Sequence, residues 1–153
     1  MDAEKLLEGI RARLLERLPG LARAGSTLRA PRATAYGVVT LRIDWDADAE
    51  SCRIGVALPA PAGGGRGFLV FCLATNAQYW DVKIGLDDEG LLLVHADVEA
   101  SSDEDLDELA ETLLARADTI SELVNDDLVP YFVEHHLGTP AQRGRWTTAH
   151  DKD

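Results

Sequence analysis

His95 and Asp97 stand two residues apart in the run LLLVHADV. On a strand that spacing puts both side chains on one face, where an imidazole and a carboxylate could form a general-base pair. The sequence places no nucleophile beside them, and a surface or interface His–Asp contact accounts for the pair more simply. His135 and His136 are adjacent, so on a helix they point about 100° apart and make a poor metal site even with Glu134. There is no HExxH and no cysteine cluster. Ser101 and Ser102 lack the GxSxG elbow of a nucleophilic serine and read as helix caps. The stretch AGGGRG, Ala62 to Gly67, has the glycines of a phosphate cradle. It lacks the GK[ST] ending and, on this reading, a following helix, so it reads as a flexible hairpin tip. Cys52 and Cys72 fall in predicted strands and read as reduced core residues rather than a disulfide or a metal pair. No catalytic residue, cofactor or metal is therefore expected.

The chain has 153 residues, 46% of them apolar and 27% charged. That suits one soluble globular domain with an ordinary core. No apolar run approaches the roughly 18 residues of a membrane span. The opening MDAEKLLEGIRARLLERL carries charges throughout and lacks the apolar core of a signal peptide. Both features predict a cytoplasmic protein. The net charge of −12 is unevenly spread. Lys5, Arg11, Arg13, Arg17, Arg23, Arg29 and Arg32 make the N-terminal stretch mildly basic. From Asp81 to Asp127 only Lys83 and Arg116 oppose the carboxylates. Such a surface repels nucleic-acid phosphates and would attract a basic partner, or simply keeps the protein soluble.

The elements that must position these residues follow from periodicity. Leu6, Leu7, Ile10, Leu14 and Leu18 form the apolar stripe of a helix over 3–18, ended by Pro19-Gly20. Leu21 to Thr34 shows no sustained period and reads as a loop. Val39, Leu41, Ile43 and Trp45 alternate with polar residues as a first strand, and Cys52, Ile54, Val56 and Leu58 as a second. Gly67 to Leu73 is apolar on both faces, which suits a central strand covered on both sides. Ala74 to Tyr79 reads as a connector or single helical turn. Trp80, Val82, Ile84 and Leu86 alternate along a strand. The turn Asp87-Asp88-Glu89-Gly90 then leads into a further strand over 91–98, which gives an antiparallel hairpin. Ser101 with Glu104, or Ser102 with Asp105, offers a capping box for a long helix. Its stripe is Leu106, Leu109, Leu113, Ile120 and Val124, widened by Leu114 and Ala117. After Val124, Asn125-Asp126-Asp127 and Pro130 predict a kinked continuation or a new short helix up to Gly138. Residues 1–138 are expected as a single domain and 139–153 as a flexible polar tail.

Three stretches carry a family resemblance. VVTLRIDWDADAESCRIGVALP is similar to the first hairpin of YbjN-like proteins. FLVFCLATNAQYWDVKIGLDDEGLLLVHADV is similar to their third strand, connector and following hairpin. SSDEDLDELAETLLARADTISELV is similar to their capped C-terminal helix. Together they cover about two-thirds of the chain, which thus resembles the type III secretion chaperone-like superfamily, including the YbjN family and CesT-type chaperones. The segment from Leu128 onward departs from that pattern. The resemblance implies an α+β domain of order α-β-β-β-(short α)-β-β-α, a curved antiparallel sheet with helices packed on it. It implies a homodimer and a non-enzymatic, chaperone-like role in holding or regulating a partner protein. No catalytic residues carry over.

Phe68, Val70, Trp80, Leu106, Leu109, Leu113 and Ile120 are the candidate residues for the partner or dimer surface. Two alternatives stand beside this reading. One is an acidic adaptor for a basic protein, such as one that binds nucleic acid. The other is a small-ligand sensor or enzyme using His95 and Asp97, which requires a concave pocket near His95.

Overall fold

The computed structural model describes residues 3–61, 63–87, 89–100 and 105–151. Helix α1 (Ala3–Leu14) turns Leu6, Leu7, Ile10 and Leu14 inward. Leu18 and Leu21 continue that buried line after the helix ends, past Gly20 at φ +83°. Six strands follow: β1 (Ala22–Ala24), β2 (Thr27–Thr34), β3 (Gly37–Asp46), β4 (Ser51–Pro59), β5 (Lys83–Leu86) and β6 (Leu91–Glu99). They form one antiparallel sheet in the order β1-β2-β3-β4-β6-β5. The architecture is α+β, as the resemblance implies.

The alternation read from the sequence sets the inner face of the sheet. Val39, Leu41 and Ile43 of β3, Cys52, Ile54, Val56 and Leu58 of β4, and Leu92, Val94, Ala96 and Val98 of β6 are all buried. Helix α3 (Leu106–Glu122) lies over β4 and β6 and beside α1. Its buried line is Leu109, Leu113, Leu114, Ala117 and Ile120. At the hairpin between β5 and β6, Gly90 takes φ +81°, a conformation that glycine adopts without a Cβ penalty. The proposed caps Ser101 and Ser102 lie outside the described residues. The helix is capped by Asp105, whose side chain accepts the Asp107 N–H at 2.9 Å.

Three elements differ from the sequence reading. First, the expected loop over 21–34 contains β1 and β2. Leu28 and Ala30 are its inward residues, too small and too few among arginines to show a period. Pro31 is tolerated because β1 pairs only with Thr27, Leu28 and Arg29, so the outer edge at Pro31 needs no N–H.

Second, the expected central strand Gly67–Leu73 is part of a helix, α2 (Gly65–Gln78), which also absorbs the connector at 74–78. Phe68, Cys72 and Thr75 are buried at helical spacing. Phe68 packs on Phe132 at 5.8 Å between ring centroids, and Phe71 stacks on Tyr131 at 4.1 Å. An apolar run without a period fits either element, and here the helix sets Phe68 and Phe71 against Phe132 and Tyr131 of a facing helix.

Third, the expected tail carries a helix, α5 (Pro140–Asp151). Its Trp146 is 1% exposed, tilted against Tyr36 and Phe132, and donates its indole N–H to the Tyr36 carbonyl at 3.1 Å. Between α3 and α5 the chain continues as a π-helical turn (Leu123–Leu128) and a short helix, α4 (Val129–Glu134). That is the kinked continuation anticipated from Pro130, which sits in the first turn of α4.

Candidate functional site

Four of the seven candidate surface residues are enclosed within a single chain. Phe68, Leu109, Leu113 and Ile120 are each 5% exposed or less. Leu106 is half-buried, its Cδ1 2.8 Å from where a Cβ on Gly9 would lie, so it closes the contact between α3 and α1. A helical stripe marks a buried face without saying what buries it, and here the sheet and α1 do. Val70 and Trp80 are exposed, Trp80 to 92%.

The exposed pair belongs to a larger surface. On α2, Leu69, Val70 and Leu73 share one side of the helix and face solvent, as does Leu86 at the end of β5. Strand β5 is an outer strand of the sheet and pairs only with β6. The side-chain amide of Asn76 on α2 bridges to β5. Its nitrogen donates to the Ile84 carbonyl at 3.0 Å and its oxygen accepts the Ile84 N–H at 2.7 Å. Lys83 Nζ donates to the carbonyls of Asn76 and Tyr79 at the end of the same helix. Helix and outer strand are thus fastened together, and these apolar side chains are exposed beside the charged Arg66 of α2 and Lys83 of β5. Leu69, Leu73 and Leu86 were not identified from the sequence. Reading 65–78 as a helix would have exposed a second apolar side that its own core does not need.

The opposite, outer face of the sheet is polar and carries His95. Asp97 is not bonded to His95. Its two carboxylate oxygens accept from Arg53 Nε at 2.8 Å and Nη2 at 3.1 Å. This bidentate bond holds the Asp97 carboxyl below its ordinary range. Burial, reinforced by the charge of Arg53, lowers the His95 imidazole. His95 Nδ1 is enclosed with no hydrogen-bond partner among the described residues. The general-base pair is therefore not formed. A concave site does lie beside His95, an open trough of about 530 Å³ whose lining includes Arg42, Arg53, Gly55, Asp87, Glu89, Leu93 and His95.

His135 stacks on Tyr131, at 4.1 Å between ring centroids. Among the described residues no three His, Cys, Asp or Glu side chains form a metal-ligand set. A helix does follow the glycine run at 63–65, contrary to the reading above, but the Lys-Ser/Thr ending of a phosphate cradle is missing all the same. Burial pushes the Cys52 thiol up to about 12 and the Cys72 thiol to about 11, which keeps both protonated and unreactive.

The long acidic helix is largely answered from within the chain. Arg13 pairs with Asp107 at 2.6 Å, Arg17 with Glu111 at 3.2 Å and Arg32 with Asp118 at 2.8 Å. The basic N-terminal stretch and the acidic α3, read from the sequence as separate features, are partners. Among the described residues no helix is long and apolar enough to cross a membrane.

No protein-family model matches the sequence, and neither does any curated protein. Solved structures do match. The crystal structure of YbjN from E. coli, a proposed transcription regulator, aligns at a TM-score of 0.67 and 17% identity, covering 88% of this chain and 96% of that one. A chain of the HopA1–SchA chaperone–effector complex aligns at 0.52 and 15% identity, covering 76% and 88%. A chain of the ExoU–SpcU heterodimer from the type III secretion system of Pseudomonas aeruginosa aligns at 0.49 and 26% identity, covering 75% and 94%. The chain has the type III secretion chaperone-like fold.

Proposed function

We propose that the protein is a non-enzymatic, chaperone-like binding module that works as a homodimer and holds a partner protein. One observation carries this reading: the exposed apolar side chains of Leu69, Val70 and Leu73 on α2, of Trp80 in the link that follows it and of Leu86 at the end of β5. Soluble monomers rarely leave a contiguous apolar patch uncovered. The occupant assigned to it is a second copy of the chain. With a net charge of −12, two copies repel over most of their surfaces. The exposed apolar side of α2 beside an outer strand is where they can meet, and a two-fold axis lets the same patch serve both copies. A fold shared with a chain of a chaperone–effector complex supports a protein as the further partner. Among the described residues nothing beside His95 or Asp97 supplies a nucleophile or a bonded acid–base pair, which favours binding over catalysis. The acidic-adaptor reading receives less support, because Asp107, Glu111 and Asp118 are already paired with arginines.

Light scattering coupled to size exclusion tests the dimer. The unaltered chain is expected at twice the monomer mass at micromolar concentration, and Leu73→Glu at the monomer mass with an unchanged circular dichroism spectrum. A monomeric unaltered chain would remove the reading. Affinity capture from native lysate with both forms, read by mass spectrometry, then tests the partner. Proteins retained by the dimer and lost with the monomeric variant are the expected result.

A further inference from the structure

The outer face of the sheet carries a row of residues aligned straight across five strands, Arg29, Arg42, Gly55, His95 and Lys83, of which all but the glycine are basic types. Arg29 and Arg42 are direct cross-strand neighbours, a like-charge pair that is unfavourable on its own. Gly55 interrupts the row. A Cβ there would meet His95 Cβ and the Val94 carbonyl at 2.8 Å, so the position remains a gap between guanidinium and imidazole. That gap is the head of the trough.

The trough carries charged groups at both ends, two arginines paired with Asp44 and Asp97 at its head and two carboxylates at its foot. At its head, Asp97 locks Arg53 in place through Nε and Nη2, leaving Nη1 without a hydrogen-bond partner among the described residues. Arg42 spends only Nη2, at 3.3 Å on Asp44 and 3.5 Å on the Thr27 hydroxyl, leaving Nε and Nη1. The floor is aliphatic, with Ala57 facing Leu93 across the ladder and Leu91 beyond. At the foot stand Asp87 and Glu89 of the β5–β6 turn. Asp87 Oδ1 accepts the N–H groups of Glu89 and Leu91, which fixes that carboxylate at the rim. From His95 to Leu91 is four residues, roughly 14 Å of strand at about 3.4 Å each.

We infer that this trough binds an extended peptide segment with an acidic group at one end, aliphatic side chains in the middle and a basic group at the other. The acid meets the free guanidinium nitrogens of Arg42 and Arg53, the aliphatic residues cover Ala57 and Leu93, and the base meets Asp87 and Glu89. A segment of about four residues spans the distance between the charged ends. The inference rests on the protein-binding reading above and names the chemistry of the segment held. It uses the face of the sheet away from the helices and does not involve the apolar surface of α2.

Fluorescence anisotropy with dye-labelled tetrapeptides tests it. The probes are Asp-Leu-Val-Lys, the same peptide with Asn for the acid, and the same peptide with Gln for the base. Each is made with a free and with an amidated C-terminus, which separates a chain end from an internal segment. The charged peptide is expected to bind saturably, at least tenfold tighter than either neutralised one. Arg42→Gln is expected to make the acidic and Asn peptides bind equally. Ala57→Phe, an exposed change that fills the trough, is expected to abolish binding while the thermal melt is kept. Absence of saturable binding, or binding untouched by Ala57→Phe, would overturn the inference. Light scattering on the same samples keeps the two readings apart. A dimer that binds no peptide refutes only the trough, and a monomer that binds the peptide refutes only the α2 interface.

Discussion

The side-chain oxygen of Asn125 accepts the backbone N–H of Ala35 at 2.7 Å, across 90 positions of sequence. Two residues on, Asp127 accepts the hydroxyl of Tyr79, the residue that ends α2. Both acceptors lie in the π-helical turn Leu123–Leu128. The turn therefore ties the β2–β3 connection on one side to the end of the proposed dimer helix on the other. A π turn persists where its surroundings repay the poorer backbone geometry, and these two bonds do so here. Replacing Asn125 with Ala leaves a half-buried N–H unpaired and should cost about 1–2 kcal/mol. Urea unfolding of the two forms checks this, and an unchanged midpoint would show the bond to be dispensable.

Trp146 anchors α5 in a slot between Tyr36 and Phe132. The slot is tight at Gly138, where a Cβ would meet the Trp146 ring at 2.8 Å. Trp146→Ala should destabilise the chain by about 3–5 kcal/mol, the usual cost of emptying a buried aromatic site. Hydrogen exchange should show amides of α5 losing protection ahead of the sheet. A variant with unaltered protection would mean that α5 is held by other contacts.

Acid should weaken the fold in two stages. His95 is held below its ordinary value of 6.5 in the folded chain, so unfolding favours its protonation. Its contribution is complete above about pH 6.5 and is lost as pH falls through the lower, folded value. Asp97 is held below its ordinary 3.8 by Arg53, so its contribution is present above that pH and lost below it. Melting temperatures of the unaltered chain and of His95→Asn between pH 7.5 and 5 should diverge in slope, the variant falling less. Parallel curves would exclude His95 as the group responsible.

Both thiols should be silent in the native protein. Cys52 is fully enclosed and Cys72 9% exposed, with thiols raised by burial to about 12 and about 11. Ellman's reagent at pH 8 should titrate no thiol in buffer and two in denaturant. Rapid native labelling of Cys72 would reveal opening of α2 from the core.

What could be read in advance was whatever depends on neighbours in sequence. Alternation of side chains along 38–46 and 51–59 fixed which residues face inward, because the pleat sends successive residues to opposite sides wherever the strand pairs. Turn chemistry at Gly90 and the apolar stripe of 106–124 are local in the same way. The arrangement of Arg42, Arg53, His95 and Asp87 was not legible, since it depends on register between strands far apart in the chain.

Sequence alone thus determined the inward faces of β3 and β4 and the helices α1 and α3, and its family resemblance implied the α+β class. Tertiary structure decided the rest. Phe68 to Leu73 is helical because Phe68 and Phe71 meet Phe132 and Tyr131, and an aperiodic apolar run has no preference strong enough to choose by itself. Helix α5 is docked because Trp146 finds a slot built by Phe132 and by Tyr36, which lies 110 positions away. The acidic helix is balanced because α1 and β2 bring arginines to it. Each depends on what the chain meets after folding, which local periodicity does not encode.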